Sequence, residues 1–129
     1  MHSDRLIDIK RDDKKGDLIP IYPLEFGLNQ IRRVMIFKNV PKGSKRGNHA
    51  HRRELQLFYI LKGSIYIKLE TKKGEQEIVV NENDYMLVYP LSWTNFTFLK
   101  ENTELIVFGS EEFDESEYIR DYNEFKSLI

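Results

Sequence analysis

Two histidines one residue apart, His49 and His51, are the residues of this chain best suited to do chemistry. They sit in GSKRGNHAHRRELQLFYILKG, from Gly43 to Gly63: a glycine, five residues, His-Ala-His, four residues, Gln56, six residues and a second glycine. The segment is rich in strand formers, and side chains alternate across a strand, so both imidazoles point to one side. Side by side on one wall, they either hold a metal or move protons. An unperturbed pKa of ~6.5 suits an imidazole to proton transfer near neutral pH. A lone histidine on a strand is most often a satisfied polar residue; the pairing and the flanking glycines argue against that here. Metal binding needs more, because transition-metal sites normally want three His or carboxylate donors. The chain's third histidine is His2, far from the pair in sequence. Gln56 is a weak neutral ligand, and Glu54, read as strand, faces away from His51 and Gln56. The expectation is proton transfer without a metal.

The rest of the chain supplies short strands to position this pair. Period-2 patterns and β-branched or aromatic runs predict strands at Leu6–Ile9, Leu18–Glu25, Ile31–Phe37, Leu55–Leu61, Ser64–Glu70, Gln76–Val80, Tyr85–Tyr89, Thr94–Leu99 and Glu104–Phe108. Turn signals separate them, among them Lys62-Gly63, Lys72-Lys73-Gly74 and Pro90–Ser92. Many short strands with tight turns make an all-β sandwich or barrel. Only the tail, Glu111–Ile129, reads as helical in places, with Ser110 or Asp114 as a cap and Tyr118, Ile119, Tyr122 and Phe125 as an apolar face.

Length and composition narrow the class. The 129 residues suit a single domain, 1–129, with one core. Apolar residues at 40% and charged residues at 32% describe a soluble globular chain, not a disordered one. A net charge of −1 gives no general drive toward nucleic acid or an anionic membrane. The absence of cysteine excludes disulfides, thiolate nucleophiles and Cys-based zinc sites. No apolar run approaches the ~20 residues of a membrane helix. MHSDRLIDIKRDDKK lacks the apolar core of a signal peptide, so the expected location is the cytoplasm.

The spacing of the histidine segment resembles the first motif of the cupin fold, a double-sheet jelly roll, with Gln56 where that motif usually has Glu. Its second motif normally adds a histidine near a proline turn; here that region reads Tyr89-Pro90-Leu91-Ser92-Trp93-Thr94-Asn95, with Asn95 in the histidine's place. RGNHAHRRELQ, preceded by PKGSK and followed by KGSIYI, together with the tail FDESEYIRDYNEF, resembles the sugar nucleotide 3,4-ketoisomerases. The likeness runs from about Leu18 to Phe125. It implies a cupin-type double-stranded β-helix (jelly roll) with a short C-terminal helical segment. It also implies a homodimer acting on a thymidine diphosphate (dTDP)-linked 4-keto-6-deoxyhexose, moving the keto group from C4 to C3 without metal or organic cofactor. The 3-keto product would then receive nitrogen at C3 on the way to bacterial surface glycans such as lipopolysaccharide.

The chemistry of the residues agrees with that implication. A hydrogen at C3 is acidified by the C4 ketone, and its removal gives an enediolate that is reprotonated at C4. His49 is assigned the carbon-bound proton and His51 the oxygens. For the diphosphate, arginine offers fork geometry. Arg33 shares the parity of Met35 and Phe37 and is expected in the pocket; Arg46 is expected at its mouth. Gln56, Trp93 and Asn95 complete the expected substrate contacts. Tyr118 and Tyr122 are read as packing or dimer contacts.

The chain departs from the family pattern in three places, one of them the loop Asn81–Asp84, which lacks the proline and glycine usual there. Phe37 stands where a tyrosine is common, and Thr94-Asn95-Phe96 where a histidine is common. The face of reprotonation at C4 is therefore left open. Three other readings compete: an epimerase on the same scaffold, which pairs histidine with a tyrosine acid not evident here; a metal-dependent cupin, disfavoured by the missing third ligand; and a non-catalytic sugar-nucleotide binding module, which needs no paired bases. The strand Leu6–Ile9 is expected to pair with the sheet edge of a partner.

Overall fold

The computed structural model describes residues 9–129. The predicted strand at Leu6–Ile9 and His2 therefore lie outside the described residues, apart from Ile9 itself. A short hairpin, β1 (Lys10–Asp12) and β2 (Gly16–Leu18), opens the described chain. Nine further strands follow: β3 (Arg33–Val40), β4 (Lys45–His51), β5 (Gln56–Lys62), β6 (Ser64–Thr71), β7 (Gly74–Asn81), β8 (Tyr85–Val88), β9 (Trp93–Phe98), β10 (Thr103–Gly109) and β11 (Tyr118–Ile119). One helix, α1 (Tyr122–Leu128), ends the chain.

The strands form two facing antiparallel sheets, in the orders β3-β10-β5-β8 and β11-β4-β9-β6-β7. Alternation decides which side chains meet between them. Phe58 and Ile60 of β5, Ile65, Ile67 and Leu69 of β6, Phe96 and Phe98 of β9, and Leu105 and Val107 of β10 build the core between the sheets. Each such side chain, withdrawn from water, contributes about 1.5–3 kcal/mol. Met35 and Phe37 of β3 pack on the same core, so the odd-numbered face of that strand is the inward one, as its parity predicted.

The predicted strand over Leu18–Glu25 is corrected. Pro20 and Pro23 offer no ladder N–H and fix φ, so β2 stops at Leu18 and Pro23 opens a one-turn 3-10 helix, Pro23–Phe26. That turn lays Phe26 and Leu28 over Leu57 on the outer face of the first sheet, with Phe26 and Tyr85 edge to face at 4.6 Å. On the second sheet, α1 covers the outer face. Phe125 and Ile119 pack on Ala50, and Trp93 and Ile129 close the cluster.

The tail is less helical than expected. Asp114 caps a 3-10 turn at Glu115–Glu117 by accepting from Ser116 N (3.0 Å), and Asp121 caps α1 by accepting from Asn123 N (2.9 Å). Between the two caps the chain stays extended as β11. It pairs with β4 so that Tyr118 lies opposite His51 and Ile119 opposite Ala50.

Candidate active site

Strand β4 carries a β-bulge between Gly47 and His49, where two residues oppose one on β9. Gly47 and Asn48 have φ of 116° and 62°. Asn48 N donates to the Asn95 side-chain oxygen (2.9 Å), which holds the bulge. Only glycine fits at 47, since a Cβ there would meet the Thr94 carbonyl oxygen and lie 2.9 Å from Asn95 Cα. Past the bulge, His49 and His51 turn inward and Ala50 outward.

The inward side chains line a cavity of about 290 Å³ whose walls include Phe37, Arg46, His49, His51, Gln56, Tyr118 and Arg120. Three rings stand together. The His49 and His51 centroids are 5.0 Å apart, and Tyr118 lies 5.0 Å from His49 and 4.4 Å from His51. A larger open groove of about 750 Å³, lined by residues such as Leu69, Tyr89 and Leu128, shares none of these walls.

The two histidines differ in state. His49 Nδ1 is 3.1 Å from the Gly47 carbonyl oxygen. A carbonyl only accepts, so Nδ1 carries the proton and Nε2 keeps its lone pair. Burial pushes the His49 pKa down, and the Arg120 and Arg33 charges add to this against the Gly47 hydrogen bond, so the ring is a neutral base near pH 7. His51 is only 5% exposed, and both of its ring nitrogens are buried without a hydrogen bond. Its pKa is pushed down to about 3, first by burial and then by His49, Arg33 and Arg120. Its Nδ1 is 3.4 Å from Glu54 Oε1, but that carboxylate is already matched by Arg33, so His51 stays neutral beside it.

Glu54 is the hub behind the rings, and the expectation that it faces away is corrected. β4 ends at His51 and the chain bends through Arg52 and Arg53, so strand alternation does not reach residue 54. Glu54, 1% exposed, accepts from Arg33 Nη2 (2.9 Å), Arg33 Nε (3.3 Å) and Gln56 Nε2 (3.1 Å). Gly109 leaves it room, because a Cβ there would strike the carboxylate. Arg33 Nη2 also donates to Tyr118 Oη (2.7 Å). Burial works against the Arg33 charge, but the bonds to Glu54 and Tyr118 outweigh it and hold its pKa above the ordinary value. Arg120, paired with Glu115, lays its guanidinium 4.5 Å over the Tyr118 ring.

The expected site residues divide accordingly. His49, His51, Arg46 and Gln56 line the cavity, and Arg46 sits 5.2 Å over the Phe37 ring. Arg33 is inward as expected, but it is engaged by Glu54 and Tyr118 and is not offered to a phosphate. Trp93 and Asn95 stand on the opposite side of β9 from Thr94 and Phe96. Trp93 packs on Tyr122 and Phe125 at 5.3 and 5.5 Å. Asn95 faces a second groove with Lys45, Tyr66 and Lys68, which meets the histidine cavity at Arg46 and Gly47.

Tyr118 and Arg120 are the residues that sequence reasoning missed as part of the site. One signal marks them: aspartates at 114 and 121 cap both sides of Tyr118-Ile119-Arg120, leaving an extended piece with two polar-tipped residues on one face. Tyr118 also supplies the tyrosine beside a histidine that the epimerase reading had lacked. Among the described residues, no group of three or more His, Asp or Glu side chains is placed to hold a metal ion, and no helix is long and apolar enough to cross a membrane.

The family model FdtA: WxcM-like, C-terminal, matches residues 2–129. The TDP-4-oxo-6-deoxy-alpha-D-glucose-3,4-oxoisomerase of Aneurinibacillus thermoaerophilus is 30% identical over 118 residues, 91% of this chain and 85% of the relative. QdtA, a sugar 3,4-ketoisomerase from Thermoanaerobacterium thermosaccharolyticum solved with TDP, superposes at a TM-score of 0.82 with 33% identity, over 95% of this chain and 90% of that one. A 3,4-ketoisomerase from Helicobacter canadensis gives a TM-score of 0.83 with 28% identity, over 95% and 92%. The two-sheet architecture is the cupin-type jelly roll expected from the sequence.

Proposed function

This chain belongs to the FdtA family, WxcM-like, C-terminal, and on that premise we propose that it moves the keto group of TDP-4-keto-6-deoxy-D-glucose from C4 to C3. The protein is a 3,4-ketoisomerase, hence an isomerase. One observation carries the mechanism: the Gly47 carbonyl fixes the proton of His49 on Nδ1, leaving Nε2 as a base on a ring that lines the cavity. His49 takes the C3 hydrogen as a proton, the electrons pass to the C4 oxygen as an enediolate, and the same imidazolium returns a proton to C4. His51, neutral and packed against His49, keeps the surroundings of the base apolar, so that the resting ring stays uncharged.

Gln56, with its amide nitrogen given to Glu54, has its oxygen left for a sugar hydroxyl. The diphosphate lies at Arg46 and runs toward Lys45, Lys68 and Asn95 in the adjoining groove. The 3-keto product would go to an aminotransferase that installs nitrogen at C3, in the cytoplasm, on the way to surface glycans.

The same reading includes a homodimer. Among the described residues β3 is an edge strand, whose outer backbone groups call for a covering partner, and its outward Val34 and Ile36 are 50% and 62% exposed. Light scattering that returns a single-chain mass at micromolar concentration overturns this part.

Proton NMR of the purified protein with TDP-4-keto-6-deoxyglucose, in deuterated buffer without added metal, tests the function. A 3-keto product, lost in His49→Asn, supports it. Tyr118 beside the histidines favours epimerisation as the second reading. A product that keeps its C4 ketone and inverts C3 or C5 would establish that reading instead.

A further inference from the structure

We propose that Tyr118, and not His51, carries the proton between the two sugar oxygens. The inference rests on the ketoisomerase reading. Moving a ketone from C4 to C3 requires two proton movements: one between carbons, from C3 to C4, and one between oxygens, from O3 to O4. His49 serves the carbons. The oxygens need a second group with a labile proton at the cavity wall.

His51 is poorly placed for that work. Both of its ring nitrogens are enclosed and neither makes a hydrogen bond. One faces Glu54, and the ring is covered by Tyr118, its cross-strand neighbour, at 4.4 Å. Tyr118 lines the cavity. Its oxygen accepts from Arg33 Nη2 at 2.7 Å, so its own hydrogen is left to donate elsewhere.

The surroundings also support the charge that such a carrier develops. A guanidinium that donates to a phenol oxygen binds more strongly as that oxygen becomes negative. Arg33 is held in place by two bonds to the buried Glu54, and Arg120 stands over the ring. Both cations are present before reaction, so stabilising the phenolate demands no rearrangement.

The step balances. As His49 takes the C3 proton, the C3–H electrons form C3=C4, and the C4 carbonyl electrons move to O4, which takes the Tyr118 proton. The phenolate then takes the O3 proton. The O3 electrons form C3=O, and the C3=C4 electrons take the proton back from His49 at C4. C3 is oxidised, C4 is reduced, and both side chains end as they began.

The test compares, in deuterium oxide, hydrogen exchange at C3 of the recovered 4-keto sugar with formation of 3-keto product. Without an oxygen carrier, the enolate forms slowly and returns to starting material. In Tyr118→Phe, product formation is expected to fall by at least 100-fold, while C3 exchange falls less, so exchange exceeds product by tenfold or more. A sugar that is merely misplaced would lose both in proportion, and that result overturns the proposal. His51→Asn is the second variant: it is expected to keep exchange and product in the wild-type ratio, and a ratio raised tenfold there would give the role to His51. If Tyr118→Phe does not fold, His51→Asn decides by itself. A wild-type protein that neither exchanges nor isomerises the sugar would sink the ketoisomerase reading, and this inference with it.

Discussion

His49 Nδ1 sits 3.1 Å from the carbonyl oxygen of Gly47, two residues back in the same strand. The bulge thus sets both the aim of the ring and the position of its proton. With Nδ1 occupied, Nε2 is the only nitrogen of His49 able to take a proton. Replacing His49 by Gln keeps a polar side chain but removes the base. We expect kcat to fall by about 10²–10⁴-fold, the usual worth of a general base, with KM changed only a few-fold in steady-state assays.

Gly47→Ala acts on the same geometry from outside the chemistry. The new Cβ would collide with the Thr94 carbonyl and hold φ of 116° against its preference. Strain of roughly 1–3 kcal/mol should appear in urea unfolding. The displaced ring should lower kcat by about 10²-fold, the scale of a 1 Å misplacement. Full activity in this variant would show that the bulge does not aim His49.

A single base at the carbons has a stereochemical consequence. The proton taken from C3 returns at C4 on the face where His49 stands. In the D-gluco ring, C4 protonation on the face of the C3 hydrogen gives the galacto product. Substrate deuterated at C3 should therefore yield galacto product with some of its label at C4. A gluco product would require a second donor on the opposite face.

Acid should loosen the fold through His51. Its folded pKa of about 3 lies below the ordinary 6.5, so between these values the unfolded chain binds a proton that the native state refuses. Stability is full above pH 6.5 and falls as pH drops toward 3, by up to about 1.4 kcal/mol per pH unit. His49, also shifted down by burial, adds to the slope. It also places the acid limb of kcat below pH 6.5. Urea melts from pH 7.5 to 5 should show a clearly flatter slope in His51→Asn, and an unchanged slope would refute the assignment.

Much of this was legible in the chain. The strand periods predicted a sandwich or barrel with both imidazoles on one side, the likeness of the histidine segment to the cupin motif implied the double-sheet jelly roll, and alternation put Arg33 on the inward face of β3. These are local properties: a period of two repeats wherever the strand is regular. Readings failed where regularity stops. Two prolines ended the strand drawn over Leu18–Glu25, and the bend after His51 switched the inward parity from odd in β4 to even in β5, so that Glu54 turns inward with Gln56.

Trp93 shows the same limit at longer range. Its position after the proline turn was plain in sequence, but its role depended on which face of β9 it occupied and on what covered that face. The answer was α1, through Tyr122 and Phe125.

The sequence by itself determined the family, the jelly-roll class and the histidine pair at 49 and 51, because those are carried by residue types and short spacings. Only the tertiary structure decided which imidazole has a usable nitrogen, and that Tyr118, 67 positions after His51, stands against both rings. Burial, tautomer and cross-strand contact arise when distant segments desolvate one another, and no spacing within a single segment encodes them.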